Sequence, residues 1–276
     1  MSLPAITHAP AATPLAALLP ARRGAAWKVG PAEYGIRANA QMSRITSGER
    51  ALVVVEQAGV IEVYSNRPDD FAVTPAVVVQ ASGPDPVAVL ADRVLRSVLP
   101  RMERETANAT VHAHGWQQVI VDKTADLNEV GFALIDHGAS LNVADCVDGV
   151  GIQWSADEGA TWGLWVLAPT GNLTLTYDGP VNGLYGVLPV LLPPVEGHGP
   201  TDAGSAFTRH LSDRFPQFRP LAGHEVEFGG YGDARGYVAL PAQDEPTDYA
   251  DDARRVVAEL SRLGTDLLLT AVPHLV

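Results

Sequence analysis

The chain has 276 residues, 46% of them apolar, and carries 32 acidic against 19 basic side chains for a net charge of -13. That apolar content supports one large domain or two small ones and excludes disordered, collagenous and disulfide-scaffold chains. The acidity argues against phosphate-driven nucleic-acid binding, since the basic residues cluster no further than pairs such as Arg22-Arg23 and Arg254-Arg255, and it favours a basic protein partner or plain solubility.

Only Lys28 and Lys123 are lysines, which with the many Ala, Gly and Pro residues fits a GC-rich bacterial coding genome. Cys146 stands alone, so no intrachain disulfide is expected and a reducing cytoplasm is the expected location. Pro4, Pro10, Pro14 and Pro20 interrupt the first apolar stretch, and Arg22-Arg23 follow it, the reverse of a secretory signal. No apolar run has the length of a bilayer span, so no membrane is expected. Residues 1–24 read as a flexible Ala/Pro-rich tail.

In chain order, residues 51–66 hold two β-branched runs around Gln57-Ala58-Gly59 and predict a hairpin. Residues 76–80 predict another strand. Asp85 suits a helix N-cap and Pro86 the first helical position, and Val87, Leu90, Ala91, Val94, Leu95, Val98 and Leu99 recur at helical spacing until Pro100, which should end or kink the helix. Residues 116–122 read as a strand and 126–137 as a helix closed by Gly138. The stretch 128–149 resembles the second helix and following turn of an ankyrin repeat at Leu134, His137, Gly138, Ala139, Asn142 and Asp145. The resemblance covers less than one repeat and implies only the helix and its glycine terminus.

Residues 149–179 predict three consecutive strands. Between the first two, Ser155, Asp157, Gly159, Thr161 and Trp162 match the Ser-x-Asp-x-Gly-x-Thr-Trp pattern, which resembles the Asp box of sialidases and related β-propellers. One copy implies a hairpin with an aromatic packed beneath it, and no sialidase activity. Pro189, Pro193 and Pro194 then predict an extended apolar segment over 183–194. A helix is expected over 203–215, a hairpin over 224–241, a helix over 247–263 with Gly264 as terminator, and an edge strand at the end.

Together these elements predict an α+β fold, mainly antiparallel sheet built from hairpins with three to four packed helices. Residues 76–99 and 237–260 share an order that suggests two similar lobes, over 25–112 and 113–276.

The chemistry is sparse. His112 and His114 would share a face if 111–121 were a strand, and Asp136 or His137 could complete a divalent metal site for a hydrolase, the alternative reading; otherwise no cofactor is expected. Cys146 lies between Asp145 and Asp148, which disfavours its thiolate. The glycine-rich 228–236 stretch reads as a hairpin loop rather than a phosphate cradle, and the acids from Asp244 to Asp252 as a helix start. Of Trp154, Trp162 and Trp165, the last two fall on opposite faces of one strand. The leading expectation is a non-catalytic, cytoplasmic protein-binding or regulatory module that contacts another protein, basic in character, through Leu188, Val190, Leu191, Leu192 and Trp165; a homo-oligomer or a subunit of a larger assembly is the remaining alternative.

Overall fold

The computed structural model describes residues 9–32, 39–65, 74–146, 149–167, 172–193, 204–221, 223–229, 234–241 and 254–276. The fold is α+β with two antiparallel sheets, divided between a unit of Met1–Met102 and a unit of Glu103–Val276.

The first unit starts with helix α1 (Ala12–Leu18), where a flexible tail was expected. Ala12, Leu15 and Ala16 are buried, and the Ala11 amide donates to the Glu56 carboxylate. Five strands follow in simple order: β1 (Lys28–Pro31), β2 (Gln41–Ser47), β3 (Arg50–Gln57), β4 (Val60–Ser65) and β5 (Val77–Gln80). The predicted β3–β4 hairpin turns on Ala58 and Gly59, both at positive φ, a pairing that matches the right-handed twist of the strands it joins. Both faces of this sheet are core. Ile45, Leu52, Val54 and Val63 are buried on one, while Met42, Val53, Val55 and Tyr64 pack with Ala32 on the other.

Asp85 caps helix α2 (Pro86–Arg93) as expected, accepting from the Ala88 amide at 3.2 Å. The helix does not stop at Pro100. A π turn over Val94–Val98 carries it into α3 (Leu99–His114), with the Leu99 amide donating to the Val94 carbonyl. Pro100 has no N–H to give, and its ring would crowd the Arg96 carbonyl in a regular helix; the wider turn relieves that crowding. The division between units falls inside α3, after Met102.

In the second unit, Gly115 at φ +83 separates α3 from α4 (Trp116–Asp136), so residues 116–122 are helix and not the expected strand. The buried stripe of α4 is Val119, Lys123, Asp126, Leu127, Val130 and Leu134, a helical period interrupted in the sequence by two charged residues. Gly138 at φ +102 ends it, with Ala139 donating to the Leu134 carbonyl and Gly138 to that of Ile135.

The eight-stranded sheet comprises β6 (Leu141–Cys146), β7 (Gly149–Ser155), β8 (Thr161–Leu167), β9 (Asn172–Pro180), β10 (Arg219–Pro220), β11 (Glu225–Phe228), β12 (Arg235–Ala239) and β13 (Arg255–Leu263), in the order β10-β11-β12-β13-β9-β8-β7-β6. The three predicted consecutive strands are β7, β8 and β9, and the 224–241 hairpin is β11 and β12. The Asp-box-like turn has Gly159 at φ +74, and Trp162 packs beneath it, its ring 6.4 Å from that of Trp154 and 4.4 Å from that of Tyr177.

Two ends of this unit invert expectation. The described part of the predicted 247–263 helix is β13, in which Val256, Ala258 and Leu260 are buried and alternate with half-buried Val257, Glu259 and Ser261. Gly264 precedes helix α7 (Thr265–Ala271) where a strand was expected. The 183–194 segment is likewise not extended, but folds as a 3-10 turn at Val181–Leu184 and the one-turn helix α5 (Leu188–Leu191). Pro189 fits there because the first amides of a helix have no intrahelical acceptor. The 203–215 helix is α6 (Ala206–Arg214), capped by Ser205. The expected resemblance between 76–99 and 237–260 ends with β13, and residues 242–253 lie outside the described residues.

A buried ion cluster closes this unit. Lys123 bonds Glu103 at 3.1 Å and Asp126 at 3.0 Å, and Glu103 also accepts from the Thr265 amide at the start of α7. Burial alone would lower the Lys123 ammonium, but the two carboxylates outweigh it and hold its pKa above the ordinary lysine value.

Candidate binding surfaces

The residues singled out for metal are not brought together. His112 and His114 are exposed on α3, and two residues apart on a helix they point in nearly opposite directions. Asp136 and His137 lie at the far end of α4, about 30 Å along its axis at 1.5 Å per residue. Among the described residues no three or more His, Cys, Asp or Glu side chains are grouped to hold an ion. Cys146 is the last residue of β6.

The apolar segment proposed for partner contact is mostly interior. Leu188, Leu191 and Leu192 are at most 1% exposed, with α5 packed on α7, and Val190 is half-buried. Its awkward sequence is that of a core plug. Trp165 is different, and two other surfaces of this unit remain open among the described residues.

The first surface is the edge formed by β6 and α4. β6 pairs only with β7, so one row of its backbone amides and carbonyls has no strand partner among the described residues. Val143 in its middle is 81% exposed. Gly131 of α4 sits on Leu141 and Ile152, a Cβ there meeting their Cδ1 atoms at 3.4 and 3.3 Å, so the helix, which packs on β7, β8 and β9, reaches the β6 end of the sheet at this point. Ile135 follows one turn later on the same side, and Phe132 is beside it; they are 51% and 67% exposed. Asp122 and Asp136 are exposed on the same helix.

The second surface is the sheet face opposite the helices. One residue per strand forms a row across it: Asn142, Gln153, Gly163, Thr176, Glu259, Tyr237, Glu227 and Arg219. Trp165 lies beside this row with its indole flat on the sheet. A Cβ added to Gly151 would come within 2.3 Å of its Cε3 atom, and one added to Gly163 within 2.6 Å of its Nε1. Two glycines on adjacent strands therefore make the floor on which the ring rests. The indole N–H donates to the Thr176 hydroxyl at 3.0 Å, which fixes the ring and leaves its outer face half-exposed.

Further along, Tyr237 is hydrogen-bonded to Glu259; burial, then the Glu259 and Glu225 carboxylates, push its phenol above the ordinary value. Arg255 bonds Asp178 at 2.7 Å, which raises the guanidinium in turn. Sequence alternation marked Trp165 as lying opposite Trp162, but nothing marked Gly151 and Gly163 as its support until the strand register was known. Val143 was missed because residues 141–146 were assigned no element, and Phe132 because the helix that carries it gave no sign of which face stays uncovered.

No family model matches the chain, and neither a curated protein nor a solved structure matches it. No helix among the described residues is long and apolar enough to cross a membrane.

Proposed function

We propose that the chain is a non-catalytic binding module of the bacterial cytoplasm that takes hold of another protein at the β6–α4 edge. The observation that supports this reading is the outer edge of β6, which has no strand partner among the described residues, with Val143 at its centre, beside Phe132 and Ile135 on α4. An extended segment of the partner adds to the sheet through main-chain hydrogen bonds, and its apolar side chains cover those of α4. Asp122 and Asp136 on the helix suit a partner with basic residues flanking that segment, in keeping with the net charge of the chain.

The test is capture from the source cell with the partner identified by mass spectrometry, using wild type, Val143→Asp and Phe132→Asp, each checked by near-ultraviolet circular dichroism. Loss of the same partner in both folded variants supports the reading. Unchanged capture rejects it. Native mass spectrometry adds a further outcome, since a doubled mass abolished by Val143→Asp makes the partner a second copy of the chain.

A further inference from the structure

The open face of the eight-stranded sheet carries a site of its own, independent of the β6 edge. Three observations restrict what it accepts. The first is the platform: the Trp165 indole lies flat on Gly151 and Gly163, and its N–H is already satisfied by Thr176, so an incoming group meets the ring face alone. An indole face is electron-rich and favours a flat partner with outward C–H groups or a cation.

The second is charge. Glu225, Glu227, Glu259 and Asp178 on this face are set against Arg219, Arg235 and Arg255, with Arg255 bonded to Asp178 and Arg219 directly opposite Glu227. Among the described residues of this face the two signs therefore differ by one. Charges so nearly matched give neither the strong negative field that holds a cationic ligand nor the positive field that holds a phosphate.

The third is the hydrogen-bonding row. Gln153 offers both a donor and an acceptor; Thr176, two strands or about 9.6 Å away, keeps one acceptor lone pair, since its hydroxyl accepts from Trp165 and donates to the Gly163 carbonyl; and Glu259, about 4.8 Å further, offers an acceptor only. Glu259 asks for a ligand that donates, which proline-rich peptide does poorly because proline has no N–H.

We infer that this face binds a neutral oligosaccharide, with one pyranose ring stacked on Trp165 and the hydroxyls of neighbouring sugar units directed to Gln153, Thr176 and Glu259. A pyranose has a C–H face of ring size, carries no charge, and bears hydroxyls at its rim that both donate and accept. Successive sugar units would run along the row toward Tyr237.

The experiment is isothermal titration of the full chain with maltohexaose, cellohexaose and chitohexaose, alongside hexa-arginine. At least one oligosaccharide is expected to bind. Its affinity should fall by about tenfold or more in Trp165→Ala, the scale of deleting a stacking platform, and fall in Glu259→Gln as well. Val143→Asp should leave it unchanged, which separates this site from the protein-binding edge. The inference is overturned if no oligosaccharide binds, if binding survives Trp165→Ala in a folded protein, or if hexa-arginine binds at Trp165 instead.

Discussion

The two sheets use their faces differently. In the five-stranded sheet β3 buries five consecutive residues, Ala51 to Val55, because both of its faces are core. In the eight-stranded sheet β13 buries every second residue, Val256, Ala258 and Leu260, and turns Val257, Glu259 and Ser261 outward. An unbroken apolar strand and an alternating one are the sequence marks of these two arrangements. The lesson is one of availability. A sheet covered on both sides has nothing left with which to recognise a ligand, whereas one covered on a single side can carry a platform such as Trp165.

Mutations can break or sharpen that contrast. The largest effect belongs to the doubly covered sheet, where Leu52→Ala should cost about 4 kcal/mol by urea denaturation, since a fully buried leucine leaves both lost contacts and a cavity. If it costs no more than a half-exposed position of the other sheet, the contrast is wrong. Next comes Lys123→Met, which strands the Glu103 and Asp126 carboxylates without their cation and should destabilise the second unit by about 3 kcal/mol. Glu103→Gln keeps an acceptor for the Thr265 amide and should cost less.

The same cluster predicts a pH dependence. Because the folded state raises Lys123 above its ordinary 10.5, the stability it contributes is fully present below that pH and is lost as pH rises through the folded-state value. Tyr237 is raised too and acts with the same sign, so a Tyr237→Phe background isolates the lysine. In that background the urea midpoint should hold up to about pH 10.5 and decline as the pH rises beyond it, while Lys123→Met should decline less. A smaller effect is expected from Gly163→Ala, whose methyl group would meet the Trp165 ring and the Thr176 hydroxyl at 2.6 Å. It should cost about 1 kcal/mol and shift one indole N–H resonance without unfolding the protein. The smallest is Val257→Thr on the open face, within about 0.5 kcal/mol of wild type by thermal melting.

Much of the antiparallel architecture was legible because hairpin turns are local. Ala58-Gly59 and Gly159 declare their turns in a few residues, and Asp85-Pro86 declares a helix start. What was not legible depended on distant partners. The α4 stripe was hidden because Lys123 and Asp126 are buried with Glu103, which stands outside that helix. Residues 255–263 fit both a helical and an alternating pattern, and the pairing of β13 with β9 and β12 decided between them. In the candidate sites, Trp165 could be read as a face-switching aromatic. Its glycine floor, and the exposed β6–α4 edge, required knowing which strands are neighbours.

The hydrogen bond from Thr265 to Glu103 also sets an order of events in time. In the five-stranded sheet each strand pairs with the next in sequence, so its contacts form soon after its residues leave the ribosome. The other unit cannot do this. Glu103 waits 162 residues for Thr265, Trp154 waits 121 residues to donate to the Leu275 carbonyl, and β9 waits for β13. Refolding traces should therefore show an early phase carrying the five-stranded sheet and a slower one that reports on Trp154, and a chain halted before residue 255 should leave β9 as a bare edge, open to aggregation.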